Sequence, residues 1–246
     1  MGPYQPLGLP IDDVADEVST AMRHGGAVIT AEPGAGKSTV VPLLAAQAID
    51  GTIYLSEPRR VAARATAQRL AELAGTEVGD GVGLIMRGEH RRSARSKIVV
   101  MTEGVLAQII RSEPDLPGVG AVIFDEFHER SLHADLGLAM SVEARDALRP
   151  DLALVVMSAT IDAIPISGLL GGAPIIAAAG RTFPVETVWS NRVPEARWAG
   201  HVAQLTATAA AQVRGSVIVL CPDVEDQRRH RRAGAARSVR RRTSWR

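Results

Sequence analysis

Two short stretches of this chain hold side chains able to move a phosphoryl group. Gly34-Ala35-Gly36-Lys37-Ser38-Thr39 follows the apolar run 27–31, and Asp125-Glu126-Phe127-His128-Glu129-Arg130 follows the apolar run 121–124. A glycine-rich turn can aim its amides at phosphate oxygens, and the helix expected after Thr39 adds the positive end of its dipole. Lys37 would reach the β- and γ-phosphates, and the Ser38 hydroxyl would ligate Mg²⁺. The loop departs from the usual G-x-x-x-x-G-K-[ST] spacing in one place, because Ala31 stands at the first glycine position. Lysine is otherwise scarce: Lys37 and Lys97 stand against 26 arginines. A compact ammonium fits between phosphate oxygens where a planar guanidinium does not, so a lysine in this loop is informative.

In the second stretch, Asp125 would bind the metal directly or through water, and Glu126 would orient and polarise an attacking water. His128 lies two residues on, on the side of an extended chain that Glu126 occupies. It is placed to sense the γ-phosphate or to couple to a neighbouring loop; the plainer alternative is a histidine that caps a charged turn. A phosphate cradle followed by an acidic pair at a second strand end is the equipment of a nucleotide hydrolase.

The elements that must position these residues alternate. The apolar pattern predicts a helix over 11–23, a strand at 27–31 and a helix from 37 to about 48. A strand at 52–55, a helix over 60–74, strands near 82–86 and 97–101 and a helix at 103–111 come next. A strand at 120–124, a helix over 132–148 and strands at 152–157 and 175–178 complete the series. Short strands, apolar on both sides and separated by helices, predict an α/β fold with a parallel sheet covered on both faces. Both chemical stretches then fall at carboxyl ends of strands, where open α/β sheets bind ligands. Beyond 174 the pattern changes to an extended connector at 180–185, a helix at 197–213 and a strand at 216–220 that would open a new domain.

The bulk numbers fit this plan. The chain has 246 residues, of which 46% are hydrophobic and 3% aromatic, so aliphatic side chains must fill the core. No apolar run approaches the ~18 residues needed to cross a membrane, and no basic-then-apolar leader opens the chain. One cysteine, Cys221, excludes an internal disulfide and a multi-thiolate zinc site, and the default location is cytoplasmic. The net charge of +1 conceals an asymmetry. Nine arginines and no acid follow Gln227; without them 19 basic residues face 27 acidic ones.

Four further segments carry a resemblance. The run 57–70 (EPRRVAARATAQRL), Thr102-Glu103-Gly104-Val105-Leu106, the DEFHER hexapeptide and Ser158-Ala159-Thr160 resemble successive motifs of the DEAH-box superfamily 2 helicases. They are most similar to the bacterial HrpB type, in which phenylalanine replaces the alanine of the name-giving box. The segment 180–185 resembles that family's link between two motor domains, and the match spans roughly residues 7–190. The resemblance implies a RecA-like P-loop fold and an ATP-dependent helicase that uses ATP and Mg²⁺ and acts on single-stranded RNA or DNA. It implies that Pro58, Arg59 and Arg60, and also Thr102, Glu103 and Gly104, touch the nucleic-acid backbone, a contact that reads no sequence. It implies that Ser158, Ala159 and Thr160 couple nucleotide state to strand movement.

The resemblance also divides the chain into a first RecA-like domain at 1–188, the beginning of a second at 189–221 and a basic tail at 222–246. The second domain supplies arginine fingers in this family, worth ~10³–10⁵ in rate. No Q-R-x-G-R-x-G-R-like run follows the connector. The expectation is a chain cut short after its first motor domain, with nucleotide binding kept but weakened and hydrolysis nearly lost. The tail resembles nothing in the family and suggests a shifted reading frame. The alternative is a basic arm that grips RNA or DNA, which would make the chain a non-catalytic nucleic-acid-binding protein. A third class, an ABC-type or AAA+ ATPase, lacks its signature here.

Overall fold

The computed structural model describes residues 4–159, 162–180, 185–190, 198–213, 215–220 and 228. The chain divides into two compact units, Met1–Phe183 and Pro184–Arg246.

The first unit is built on one eight-stranded sheet. In chain order it contains α1 (Ala15–Arg23), β1 (Gly26–Ala31), α2 (Lys37–Ala48), β2 (Thr52–Glu57), α3 (Arg60–Leu73), β3 (Val82–Met86), β4 (Glu89–Arg91) and β5 (Ile98–Thr102). It continues through α4 (Glu103–Ser112), β6 (Val119–Phe124), α5 (Leu132–Ala147), β7 (Ala153–Ser158), α6 (Ala163–Leu169) and β8 (Ile175–Ala178). The spatial order is β4-β3-β5-β2-β6-β7-β1-β8. Every pairing is parallel except β3 with β4, a short antiparallel hairpin that corrects the purely parallel expectation. Its three residues, Glu89-His90-Arg91, are too polar and too few to read as a strand in the sequence.

Alternation along the strands explains the two-sided burial. Ala27, Ile29, Ile53, Leu55, Ile123 and Val155 pack on one face against Val18, Met22, Val40, Leu44 and Leu70 of α1, α2 and α3. Val28, Tyr54, Val122, Phe124, Leu154 and Val156 pack on the other against Leu106, Ile110, Leu138 and Ile166 of α4, α5 and α6. A sheet covered on both faces has no room for polar side chains along its strands, which is why the strands are nearly continuous apolar runs.

Element boundaries depart from the sequence reading where local chemistry intervenes. The helix expected over 11–23 is a 3-10 turn, Pro10–Val14, followed by α1, because Val14 leaves the helical region at φ −114°, ψ 12°. Helix α6 was not legible; Asp162 starts it by accepting from the Ile164 amide at 3.2 Å.

The second unit contains α7 (Trp198–Gln212), close to the helix expected at 197–213. The strand expected at 216–220 is absent: these residues form no ladder, and Ile218 and Leu220 are exposed. An apolar run becomes a strand only with a neighbour to pair with. Thr160, most of the 180–185 connector, Cys221 and the basic tail, except residue 228, lie outside the described residues.

Candidate functional site

The order of the strands decides which segments meet at the carboxyl edge of the sheet. Reading across that edge, β5 ends at Thr102, β2 at Glu57, β6 at Phe124, β7 at Ser158 and β1 at Ala31. Register ties these ends side by side: Glu57 pairs with Thr102, Ser56 with Phe124, and Thr30 with Ser158. The phosphate loop and the carboxylate turn therefore flank β7, whose own end carries Ser158 and Ala159.

The loop after β1 turns back through Gly34 and Gly36, both in the left-handed region at φ 84° and 96°. Gly36 leads into α2 and its carbonyl accepts from the amides of Thr39 at 3.1 Å and Val40 at 2.8 Å. Ala35 is buried and its amide donates to the Glu32 carbonyl at 3.2 Å. Lys37 is 5% exposed, and its Nζ donates to the carbonyls of Ala31 and, at 3.3 Å, Glu32. Burial lowers the Lys37 pKa, and the charges of Glu126 and Asp125 oppose that shift. A cavity of about 280 Å³ opens here, lined by Gly34, Gly36, Lys37, Ser38, Thr39 and Glu126, with Leu9 and Pro33 at its wall.

Asp125 enters from β6, held by its amide on the Ser56 carbonyl at 3.0 Å. Its side chain is buried; Oδ1 accepts from the Glu126 amide at 2.8 Å, while Oδ2 has no hydrogen-bond partner. Burial pushes the carboxyl up to about 6, against a hydrogen bond from Ser38 that pulls it down. The Ser38 hydroxyl and the Asp125 carboxylate, one of whose oxygens is unpartnered, are hard oxygen donors of the kind Mg²⁺ accepts beside water and phosphate. Among the described residues no group of three or more His, Cys, Asp or Glu side chains is placed to hold a metal ion, so these protein atoms alone build no metal cage. The residues present fit a magnesium ion shared with a nucleotide.

His128 stands beside Glu126 by a different path from the extended chain that the sequence predicts. The chain after Asp125 is not extended. Glu126 has φ 48°, residues Phe127–Glu129 form a 3-10 turn, and Arg130 has φ 46°. That turn brings His128 Nδ1 within 3.4 Å of Glu126 Oε2, and the Ala159 amide donates to the same nitrogen at 3.4 Å. One ring nitrogen cannot donate to the carboxylate and accept from the amide together, so His128 has two exclusive bonding states.

The segments at the ends of β2 and β5 also touch this turn. Arg59, exposed at the start of α3, pairs with Glu129 at 3.0 Å. Glu103, buried at the start of α4, accepts from the Ser131 hydroxyl, and Ser131 in turn caps α5 by accepting from the Ala134 amide at 3.0 Å. Pro58, Arg60, Thr102 and Gly104 lie on the same two strand-to-helix turns, with Arg60 and Gly104 exposed.

Three groups escaped the sequence reading. Glu57 is 2% exposed, accepts from the Thr66 hydroxyl at 2.8 Å, and is pushed up to about 8 by burial and by the charge of Asp125. The expected strand at 52–55 stopped short of it; a carboxylate at the end of a buried strand was the available signal. Glu129 lies in the DEFHER hexapeptide, but its pairing and that of Ser131 had no signal, since only the turn geometry joins them to residues 70 and 28 positions away.

A family model described as DEAD/DEAH box helicase matches residues 14–166. The chain is 44% identical over 224 residues to the ATP-dependent RNA helicase HrpB of Escherichia coli, covering 90% of this chain and 28% of that protein. It is 36% identical over 188 residues to the probable ATP-dependent RNA helicase DHX34 of Homo sapiens, covering 76% and 16%. The crystal structure of Escherichia coli DEAH/RHA helicase HrpB superposes with a TM-score of 0.83 at 42% identity, over 94% of this chain and 30% of that one. The chain thus spans less than a third of the curated relatives it matches.

Proposed function

The chain belongs to the DEAD/DEAH box helicase family, and on that premise we propose that it binds ATP with Mg²⁺ at the phosphate loop and couples that site to single-stranded RNA or DNA. The observation that carries the reading is the cavity lined by Lys37, Ser38, Thr39 and Glu126, next to the buried carboxyl of Asp125, whose Oδ2 has no hydrogen-bond partner. In this reading Lys37 meets the β- and γ-phosphates, amides of the 34–39 loop cradle them, and Ser38 and Asp125 hold the metal. The metal supplies charge neutralisation for phosphoryl transfer. Glu126 orients the attacking water, as phosphoryl transfer demands positioning more than covalent help.

Arg59, Arg60, Pro58, Thr102, Glu103 and Gly104 form the nucleic-acid edge, and Ser158, Ala159 and Thr160 relay between the two through His128. Residues 1–188 act as a first RecA-like domain, 189–221 as the start of a second and 222–246 as a basic tail; the cytoplasm is the proposed location. Among the described residues no helix is long and apolar enough to cross a membrane. Strand separation is proposed for the whole helicase rather than for these residues alone.

The test titrates the chain with ATP–Mg²⁺ and with a single-stranded oligonucleotide. Lys37→Ala is expected to abolish nucleotide binding and Arg59→Ala to weaken the oligonucleotide. The nine arginines of the tail favour one rival, a binder that works through residues 223–246. Removal of those residues with loss of all oligonucleotide binding, together with indifference to ATP and to Lys37→Ala, would establish the rival.

A further inference from the structure

The phosphate loop is braced from outside by a segment that precedes every recognised motif. Asp12 gathers residues 4–9 into a compact strap. Its Oδ1 accepts from the Tyr4 hydroxyl, and its Oδ2 accepts from the amides of Leu7 and Leu9, each at 2.9 Å. Burial and the bond to Asp12 raise the Tyr4 hydroxyl pKa. Burial also acts to raise the Asp12 carboxyl, but the hydrogen bonds outweigh it and the pKa falls, so the strap is held by an ionised carboxylate.

The strap ends on the loop itself. The Ile11 amide donates to the Ala35 carbonyl at 3.1 Å, and Ile11 is fully buried. A Cβ built on Gly36 would lie 2.7 Å from Leu9 Cδ1, 3.1 Å from Leu9 Cβ and 3.1 Å from Ile11 Cγ2. Leu9 also lines the cavity, together with Glu126. The side chain that presses on the loop's last glycine thus belongs to the residue whose amide Asp12 fixes.

A glycine-rich loop that must order itself around an anion loses affinity to that ordering, and a support that holds it in shape beforehand removes the loss. We propose that residues 4–12 are a strap that pre-shapes the phosphate loop, with Asp12 as its positioning residue. Asp12 touches neither nucleotide nor metal; it acts through Leu9 and Ile11. The inference rests on the reading of the cavity as the ATP phosphate site.

The experiment uses the full 246-residue chain, titrated with ATP–Mg²⁺ and, to isolate the phosphate loop, with inorganic tripolyphosphate. Asp12→Ala is expected to weaken both about tenfold, a change of ~1.4 kcal/mol. Asp12→Asn keeps an oxygen for the Leu7 and Leu9 amides and should stay within about threefold of the parent chain. That rescue separates positioning from a general loss of fold. Leu9→Ala poses the same question from the other end of the strap and serves where Asp12→Ala folds poorly; it too should weaken both ligands.

Parent-like affinity in Asp12→Ala, with amide exchange at residues 7 and 9 showing the strap released, overturns the proposal. So does an Asp12→Asn variant as weak as Asp12→Ala. A parent chain that binds neither ligand, or that is indifferent to Lys37→Ala, instead removes the underlying reading of the site, and the strap's role falls with it.

Discussion

Arg59 and Glu129 face each other in a two-point ion pair, Nη2 to Oε1 at 3.0 Å and Nε to Oε2 at 3.2 Å. The fork that Arg59 spends on Glu129 is the one a phosphate would accept. The Arg59 side chain is 72% exposed, so a nucleic-acid backbone can reach it without rearranging the fold.

Competition for that guanidinium predicts that Glu129→Gln tightens binding of a single-stranded oligonucleotide by about two- to fivefold at low salt, the worth of an exposed ion pair. Arg59→Ala should weaken binding and erase the effect of the glutamine. Asp146→Asn, which removes an acid paired with Arg145 elsewhere, controls for net charge. Fluorescence anisotropy decides: equal gains from both neutralised acids would mean that bulk charge alone is at work.

His128 answers to two partners through one nitrogen. In the uncharged ring with its proton on Nε2, Nδ1 accepts from Ala159; a proton on Nδ1 turns it toward Glu126. Replacing it with alanine should leave ATP affinity within about threefold while the response of nucleotide affinity to oligonucleotide falls toward none, a loss of coupling free energy of about 1–3 kcal/mol. Titrating ATP with and without saturating oligonucleotide measures it, and unchanged coupling refutes the relay.

Two buried acids make folding stability fall as pH rises. The carboxyl pKa rises from an ordinary 4.5 to about 8 at Glu57 and from 3.8 to about 6 at Asp125, in both cases first through burial. With folded values above unfolded ones, the unfolded chain releases these protons first. The stabilising contribution is therefore complete below about 4 and is lost as pH climbs through about 6 and then about 8. In metal-free buffer the melting temperature should drop between pH 5 and 8.5. Glu57→Gln should flatten that decline and melt about 5 °C higher than the parent at pH 8.5. A parallel decline in both proteins assigns the slope elsewhere.

Ser131 holds two structures at once, the first turn of α5 and the buried carboxylate of Glu103. Ser131→Ala removes a helix cap and leaves a buried acceptor unpaired, which together cost about 2–4 kcal/mol. Urea unfolding should show that loss, with Ser131→Thr recovering most of it. A loss under about 0.5 kcal/mol would mean that Glu103 finds water instead.

How far the sequence carried depends on the range of the forces involved. The strands other than β4 and the helices α2, α3, α4 and α5 were legible because burial on two faces writes itself as apolar runs broken by polar turns. That Lys37, Ser38, Asp125 and Glu126 come together was legible because each of their two stretches follows an apolar run that ends at the carboxyl edge of the sheet. The geometry of His128 was not: two left-handed residues, Glu126 and Arg130, fold the turn against the propensity of their types, and only tertiary contacts impose that. Glu57 and the Asp12 strap were hidden for a related reason. One needed the strand order to stand beside Asp125, and the other needed the packing of Leu9 on Gly36.

The two borders of the sheet are unlike. β4 closes one side with Glu89, His90 and Arg91, short and charged, a border that repels further strands. β8 closes the other with Ile175-Ile176-Ala177-Ala178, and among the described residues its outer backbone pairs with no strand. Among the described residues, β8 is thus the border open to strand addition, and Ile175, 42% exposed, is where it would begin. For anyone concentrating this chain, the practical consequence is colloidal: precipitation should start at β8, and Ile175→Lys should arrest it.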